Sequence, residues 1–202
     1  MKMICVGRNY VLHAKELGNA IPEEPVLFLK PSTALNRERE FYIPAFTQQM
    51  EYEAEIVLKI VKNGKFIDPA FAWKYVSEIT VGIDFTARDV QSQLKSKGLP
   101  WEIAKAFDNS ASLGQWVPLD TVIDRDAIPF QLFLNDNLVQ DGNTKDMLFS
   151  VPTLISYISK YFTLQTGDYI FTGTPAGVGQ VKIGDRLQGF IAGVKLLECH
   201  IS

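Results

Sequence analysis

The chain has 202 residues, 47% of them hydrophobic and 21% charged, with a formal net charge of −3. That length lies within the roughly 50–250 residues of one domain and can bury a substantial core, while the charge balance carries no basic excess suited to nucleic acid or an anionic membrane. No stretch approaches the roughly 18 apolar residues of a membrane span, and residues 1–6 are too short for a signal sequence.

One domain over residues 1–202 is therefore expected. Cys5 and Cys199 sit in apolar terminal segments, which favours buried reduced thiols and a cytoplasmic setting. Residues 3–6 read as a first strand. Gly7, Arg8 and Asn9 then turn the chain into a helix of about eight residues, with Asn9 as N-cap and Gly18 just past its end. His13 and Glu16 lie i and i+3 on it, so they are neighbours; a proton-handling pair and an incidental surface contact both satisfy that spacing. A helix this short falls below the roughly 12–15 residues that persist alone, which predicts mobility without ligand. Residues 26–29 form a short apolar strand ending in Lys30, which is either solvated or aimed inward by the turn at Pro31. Residues 36–40 read as an exposed charged loop.

The most informative stretch follows. Tyr52, Ala54, Ile56, Leu58 and Ile60 alternate with Glu51, Glu53, Glu55, Val57 and Lys59, giving one strand with an apolar and an acidic face. Glu53 and Glu55 point the same way, roughly 7 Å apart at about 3.3 Å per residue. Asn63-Gly64 signals a hairpin turn, and residues 68–77 a short helix. In the next strand Asp84 is a lone acid among Ile79, Val81, Ile83 and Phe85. A buried carboxylate needs a cation or strong donors. A pairing of Asp84 with Arg88, and a solvated acidic edge for the glutamates, remain alternatives to the favoured reading, in which Glu53, Glu55 and Asp84 hold one hard divalent cation. Magnesium–oxygen distances of about 2.0–2.1 Å suit convergent carboxylates.

Thr86-Ala87-Arg88-Asp89 has the form of a capping box opening a helix to about residue 96, stopped by Gly98. Arg88 and Gln91 fall i and i+3 near its start, a setting suited to a carboxylate ligand, whereas Lys95 and Lys97 read as solvated. Lys105 lies in an apolar stretch, either in a pocket or snorkelling from the core edge. Beyond Trp116 the pattern is mostly β. It includes a hairpin around residues 135–137, one amphipathic helix over residues 151–160, and strands near residues 169–172, 186–191 and 194–200. The glycine-rich run from Thr172 to Gly179 lacks the Lys-Ser/Thr ending of a phosphate loop, so no nucleotide cofactor is expected. Its exposed N–H groups suit either a carboxylate ligand or a plain turn. Runs of strands with a few segregated helices predict an α+β fold, predominantly β.

The stretches CVGRNYVLHAKELG (5–18), PVLFLKPSTA (25–34), YEAEIVLKI (52–60), IDFTARDVQ (83–91), KGLPWEIAKAFD (97–108) and GDYIFTGTPAGVG (167–179) together resemble the compact branch of the fumarylacetoacetate hydrolase family. They occur in the family's order and span most of the chain. The resemblance implies a twisted mixed β-roll with a few peripheral helices, assembled as a homodimer. It also implies Mg2+, or Mn2+, on Glu53, Glu55 and Asp84, an acid–base dyad of His13 and Glu16 on a lid, and Lys105 as a further catalytic residue. Arg8, Lys30, Arg88, Gln91, Gly173 and Thr174 would then contact substrate. The implied activity is on short 2-oxoacids: C–C hydrolysis of 3-acylpyruvates, or decarboxylation or tautomerisation of oxaloacetate, through an enolate held on the cation. An isomerase of unsaturated oxo-dioates and a catalytically silent metal-binding scaffold are the alternatives.

Overall fold

The computed structural model describes residues 1–16, 18 and 20–202. Alternating apolar residues are gathered into three sheets. The largest is mixed and runs in the order β2 (Val26–Lys30), β1 (Met3–Gly7), β13 (Tyr169–Phe171), β6 (Ala54–Ile60), β7 (Val76–Asp84), β9 (Ala111–Leu113) and β3 (Leu35–Asn36), with β10 (Val117–Pro118) paired to β7. β1 runs parallel to β13 and antiparallel to β2. The second sheet orders β12 (Asn137–Asn143), β11 (Pro129–Leu134), β15 (Arg186–Ile191), β16 (Val194–Ile201) and β4 (Glu40–Phe41). A small third sheet joins β14 (Gly179–Gln180), β5 (Met50–Tyr52) and β8 (Thr86–Ala87). The helices α1 (Val11–Glu16), α2 (Arg88–Ser96), α3 (Glu102–Lys105) and α4 (Val151–Tyr161) lie at the periphery. This is the expected α+β, predominantly β, roll.

The core forms where the two larger sheets meet. Ile56, Leu58 and Ile60 of β6 and Ile79, Val81 and Ile83 of β7 are fully buried in one cluster with Leu132 of β11, Leu187 of β15, and Leu154 and Ile158 of α4. Each such side chain contributes about 1.5–3 kcal/mol through burial.

The expected strand over residues 51–60 is broken at Glu53, where the chain leaves the small sheet (β5) for the large one (β6). The chain crosses back between β7 and β8, with Phe85 at the break. The β6–β7 register pairs Ala54 with Ile83 and Glu55 with Gly82, and Asp84 N–H donates to the Glu53 carbonyl at 2.8 Å. Three acids thus meet at the corner where both strands change sheets.

Several local expectations give way to tertiary partners. The first helix has six residues, and Asn9 does not cap it; the Asn9 amide is buried and ties Phe149 (3.1 Å to O, 2.8 Å from N) to the Thr172 carbonyl (2.8 Å). Asn63-Gly64 makes no hairpin. β6 and β7 are joined through residues 61–75, including the 3-10 helix Pro69–Tyr75, while Asn63 Oδ1 accepts from Thr166 N–H at 2.9 Å and Gly64 bridges to Leu164. Nor does the capping box form, because Asp89 is engaged with Thr47 Oγ1 (2.5 Å) and Gln48 N–H (2.9 Å), and Ala87 precedes α2 without a side-chain bond. Within residues 36–40, Asn36 is buried and donates to the Glu40 carbonyl at 2.8 Å, so this loop contributes two edge strands. The 135–137 turn does form: Asn135 and Asp136 both adopt left-handed φ (50° and 66°) between β11 and β12, as a two-residue hairpin requires.

Gln140 of β12 completes the corner. Its Oε1 accepts the Ala54 N–H at 2.9 Å, and its Nε2 donates to Thr174 Oγ1 (2.8 Å) and the Pro175 carbonyl (2.9 Å). Gln140→Leu leaves these buried groups unpaired and is expected to cost about 1–3 kcal/mol. Denaturant unfolding measures it, and an unshifted midpoint would count against this bracing role.

Candidate active site

Glu53, Glu55 and Asp84 are at most 5% exposed, and each offers a carboxylate oxygen to a cluster whose atoms all lie within 4.8 Å of one another. Buried cations surround them. Arg88 Nη2 donates to Glu53 at 2.5 Å, its Nε to Glu51 at 2.7 Å and its Nη1 to Gln91 Oε1 at 2.7 Å. Lys105 Nζ lies 2.8 Å from both Glu53 Oε2 and Asp84 Oδ2 and donates to Thr86 Oγ1 at 2.6 Å. Lys30, at the end of β2, points inward with no exposed surface. It reaches Asp84 Oδ1 at 2.8 Å and donates to the Lys105 carbonyl and to Ser110. Glu55 Oε2 accepts the Gly173 N–H at 2.7 Å.

These neighbours set the ionisation of the cluster. Burial pushes the Glu53 carboxyl up, but Lys105 and Arg88 outweigh it and hold Glu53 well below the usual range. Burial, Asp84 and Glu53 together push Glu55 well up, against the Gly173 N–H and Lys105. For Lys105, burial disfavours the charge, yet Asp84 and Glu53 overcome it and raise its pKa. A cation placed among the three carboxylates would relieve the Glu55 side of this balance.

The residues fit a hard divalent ion. Asp84 Oδ1, although 2.8 Å from the Lys30 ammonium, receives no aligned hydrogen bond, and an all-carboxylate donor set suits Mg2+ or Mn2+. Four buried carboxylates, Glu51 included, face the buried cations Lys30, Arg88 and Lys105. A divalent ion would turn this excess of negative charge positive, a balance suited to an anionic substrate.

α1 lies across the triad with His13 buried inward, 4% exposed. His13 Nδ1 is 3.2 Å from Glu16 Oε2, and the Glu16 carboxylate also accepts the Gly177 N–H, at 3.0 Å to Oε1 and 3.3 Å to Oε2. Gly177 has φ +98°, and a Cβ there would stand 2.1 Å from the Val139 carbonyl oxygen, so this position requires glycine. The glycine-rich run thus presents one N–H to Glu55 and another to Glu16, while Thr174 bonds the Ala54 carbonyl at 2.8 Å. Sequence reasoning missed Gly177 and Gln140; the glycine run was the one available signal for Gly177, and Gln140 had none.

His13, Glu53, Glu55, Asp84, Lys105 and Thr174 line one cavity together with Arg8, Phe28, Arg88, Gln91, Lys95 and Trp101. Lys30 lies behind Asp84, outside that lining, and Gly173 spends its N–H on Glu55. Lys95, expected in solvent, belongs to the lining. The cavity is small, about 30 Å³, and His13 of α1 forms part of its wall. Larger clefts exist, one of about 310 Å³ beside Arg37 and Cys199, but convergent carboxylates, not size, mark the site.

Fold and site together define an enzyme with a buried carboxylate triad able to hold a divalent ion. The model of the family described as fumarylacetoacetate (FAA) hydrolase, C-terminal, matches residues 2–202, and the chain belongs to this family. It is 45% identical over 193 residues to a mitochondrial oxaloacetate tautomerase of Bos taurus, covering 95% of this chain and 87% of the relative. A mitochondrial oxaloacetate decarboxylase of Dictyostelium discoideum is 42% identical over 195 residues, covering 96% and 89%. Among solved structures, fumarylpyruvate hydrolase from Pseudomonas aeruginosa in complex with Mn2+ and pyruvate superposes with a TM-score of 0.94 at 37% identity, covering 100% of this chain and 89% of that one. The mitochondrial names of the relatives overturn the cytoplasmic expectation. Cys5 and Cys199 are free and buried, but thiols report redox poise, not cellular address.

Asp84→Asn removes one charged donor from the triad and one partner from Lys30 and Lys105. The variant is expected to fold with a lowered melting temperature and to lose the stabilisation that Mn2+ or Mg2+ confers, about 2.7 kcal/mol at a hundredfold excess over Kd. Calorimetric titration checks this; unchanged metal affinity would remove Asp84 from the ligand set.

Proposed function

We propose that residues 1–202 form one catalytic domain of a divalent-metal-dependent enzyme acting on short 2-oxoacids. It would cleave the C–C bond of 3-acylpyruvates and tautomerise or decarboxylate oxaloacetate, with Mg2+ as the resident ion and Mn2+ able to replace it. The observation that carries this reading is His13, held by Glu16 from outside the lining, in one cavity with the carboxylate triad. Support comes also from the oxaloacetate and fumarylpyruvate activities in the names of the relatives.

Glu53, Glu55 and Asp84 hold the ion, which when bound supplies Lewis-acid polarisation of the 2-oxo group. Glu16 faces His13 Nδ1, fixing the tautomer that carries its proton there and leaving Nε2 basic toward the cavity. His13 takes a proton from the substrate carbon next to the oxo group in tautomerisation, or from water in hydrolysis, and returns it to carbon or oxygen when the bond rearrangement is complete. The Gly177 N–H holds Glu16 in place throughout. Lys105, kept charged by Asp84 and Glu53, adds positive charge at the cavity wall, where negative charge would develop on the substrate oxygen. Arg88 positions Glu51 and Glu53 with its donors and presents Gln91 at the cavity.

A panel of oxaloacetate and acylpyruvates assayed with Mg2+, Mn2+ and chelator tests the activity; no metal-dependent turnover of any of them would sink it. His13→Ala and Glu16→Ala should each lower kcat by about 10²–10⁴-fold without weakening metal binding. The double variant should lose little beyond the worse single one, as residues acting as a unit do. Losses that multiply would separate the two roles.

We also propose a homodimer. Exposed Ile123 and Val194 border an apolar groove with Val122 and Leu196, and Phe46 and Ile103 border another, and either is a face that a second copy could cover. Sedimentation should return twice the chain mass at micromolar concentration, and a monomer would overturn the proposal.

A further inference from the structure

Among the described residues, two buried side-chain atoms lack a hydrogen-bond partner, Asp84 Oδ1 and the Tyr10 hydroxyl. Such groups are few in a folded protein, and each calls for a physical account. Asp84 belongs to the carboxylate triad, where a divalent ion would satisfy it. Tyr10 is 3% exposed and stands outside the lining of the triad cavity, so its hydroxyl needs a different partner.

Tyr10 lines a second cavity, of about 280 Å³, which shares no residue with the first. Asp141, Asn143 and Asp146 form its polar wall, and Val11, Leu12 and Pro175 its apolar wall; no lysine, arginine or histidine is among the described residues that line it. Asp146 makes no hydrogen bond or ion pair with a described residue, and the Asp141 carboxylate accepts only from the Gln131 amide, at 3.2 Å. The Tyr10 phenol lies close enough to Asp146 for that carboxylate, after burial and Glu55, to push its pKa up, so the hydroxyl stays neutral beside negative charge. Two carboxylates and an idle hydroxyl thus meet here with nothing positive to balance them.

The surroundings decide which cation fits. A hard divalent ion needs several convergent charged oxygens, and among the described residues Glu53, Glu55 and Asp84 are the one group of three that converges. A cavity of about 280 Å³ with aliphatic walls suits instead a ligand with a body and a few polar atoms. An alkylammonium has both, N–H donors at one end and methylenes behind them.

We infer that this cavity binds a small organic ammonium ion, a primary amine on a short aliphatic chain. The ammonium donates to Asp146, Asp141 and the Tyr10 oxygen, and the chain lies against Val11, Leu12 and Pro175. Val11 and Leu12 belong to α1, and Ala176, also in the lining, precedes Gly177, whose N–H holds Glu16. An occupant therefore touches both segments joined by the Glu16–Gly177 contact and braces one against the other. The inference is independent of the oxoacid reading, since it uses neither the triad nor His13.

The test titrates n-butylammonium and 1-butanol, similar in size but different in charge, into the isotope-labelled full chain followed by amide NMR. Butylammonium should give saturable shifts grouped at Val11, Leu12, Gly142 and Ala176, and 1-butanol should bind about 5-fold more weakly or less, the worth of one partly exposed ion pair. Asp146→Asn should weaken the amine by a similar factor, and the Asp141→Asn/Asp146→Asn double variant should abolish the saturable shifts. Tyr10→Phe should also weaken the amine, yet leave the melting temperature of the amine-free protein unchanged or higher, because the hydroxyl it deletes has no partner to lose. The site is overturned by absent shifts at these residues, by equal affinity for 1-butanol, or by amine binding that survives the double variant. A lowered melting temperature for Tyr10→Phe would show the hydroxyl already partnered, and Mg2+ displacing the amine at the same residues would make the cavity a metal site; either result also overturns the assignment.

Discussion

Asp84 is the constraint on which the site depends. A carboxylate with no exposed surface is tenable only when paired, and here one oxygen faces Lys30 and the other Lys105, each at 2.8 Å. The pairing has architectural consequences. Lys30 closes β2, Lys105 closes α3 and Asp84 closes β7, so one carboxylate with two ion pairs fixes the ends of three elements remote in sequence. Lys105 then extends the network to Glu53, Arg88 joins Glu53 to Glu51 and Gln91, and the two cations compensate acids that would otherwise repel. Breaking a buried pair by removing one partner costs about 3–5 kcal/mol, which makes the cluster rigid as well as charged.

The corner of the sheets is what lets the acids converge. A strand continuous over residues 51–60 would commit Glu53 to ladder pairing; by leaving one sheet for another there, the chain frees the backbone to turn the carboxylate inward. The hydrogen bonds lost to strand neighbours are recovered elsewhere: Ala54 N–H by Gln140, Phe85 N–H by the Ser110 carbonyl at 2.9 Å, and Arg88 N–H by the Gln49 carbonyl at 2.9 Å. Buried backbone groups are almost always satisfied, so these side chains and loops are conditions of the corner and not decoration of it. Phe41 stacks on Phe85 with ring centroids 3.7 Å apart and fills the space beneath.

What the sequence disclosed follows the range of the forces involved. Period-two alternation revealed β6 and β7, same-face spacing brought Glu53 and Glu55 together, and Asn135-Asp136 announced its own hairpin. These are local signals. The break at Glu53, the inward course of Lys30 and the bracing by Gln140 depend on partners remote in sequence, and nothing in a local window records them. Asn9, Asn63 and Asp89 show the same limit from the other side. Each has the chemistry of a cap or turn residue, but each found a stronger buried or cross-chain partner, and tertiary geometry overrode propensity. Lys95 read as solvated because a helix position reveals which face it occupies but not what that face meets.

Among the described residues, two contacts that hold α1 differ in strength. Asn9, buried with hydrogen bonds to Phe149 and Thr172, fixes the entry to the helix. Its far end is held by Glu16 to the Gly177 N–H, a contact open to solvent on the surface, where such bonds are weakest. His13 and Glu16 share one short helix, so a displacement of that end would take His13 from the triad and Glu16 from its backbone donor together. The histidine therefore has its orienting carboxylate and its burial in one and the same arrangement. On the function proposed above, proton handling by His13 would belong to the arrangement in which the Glu16–Gly177 contact is made.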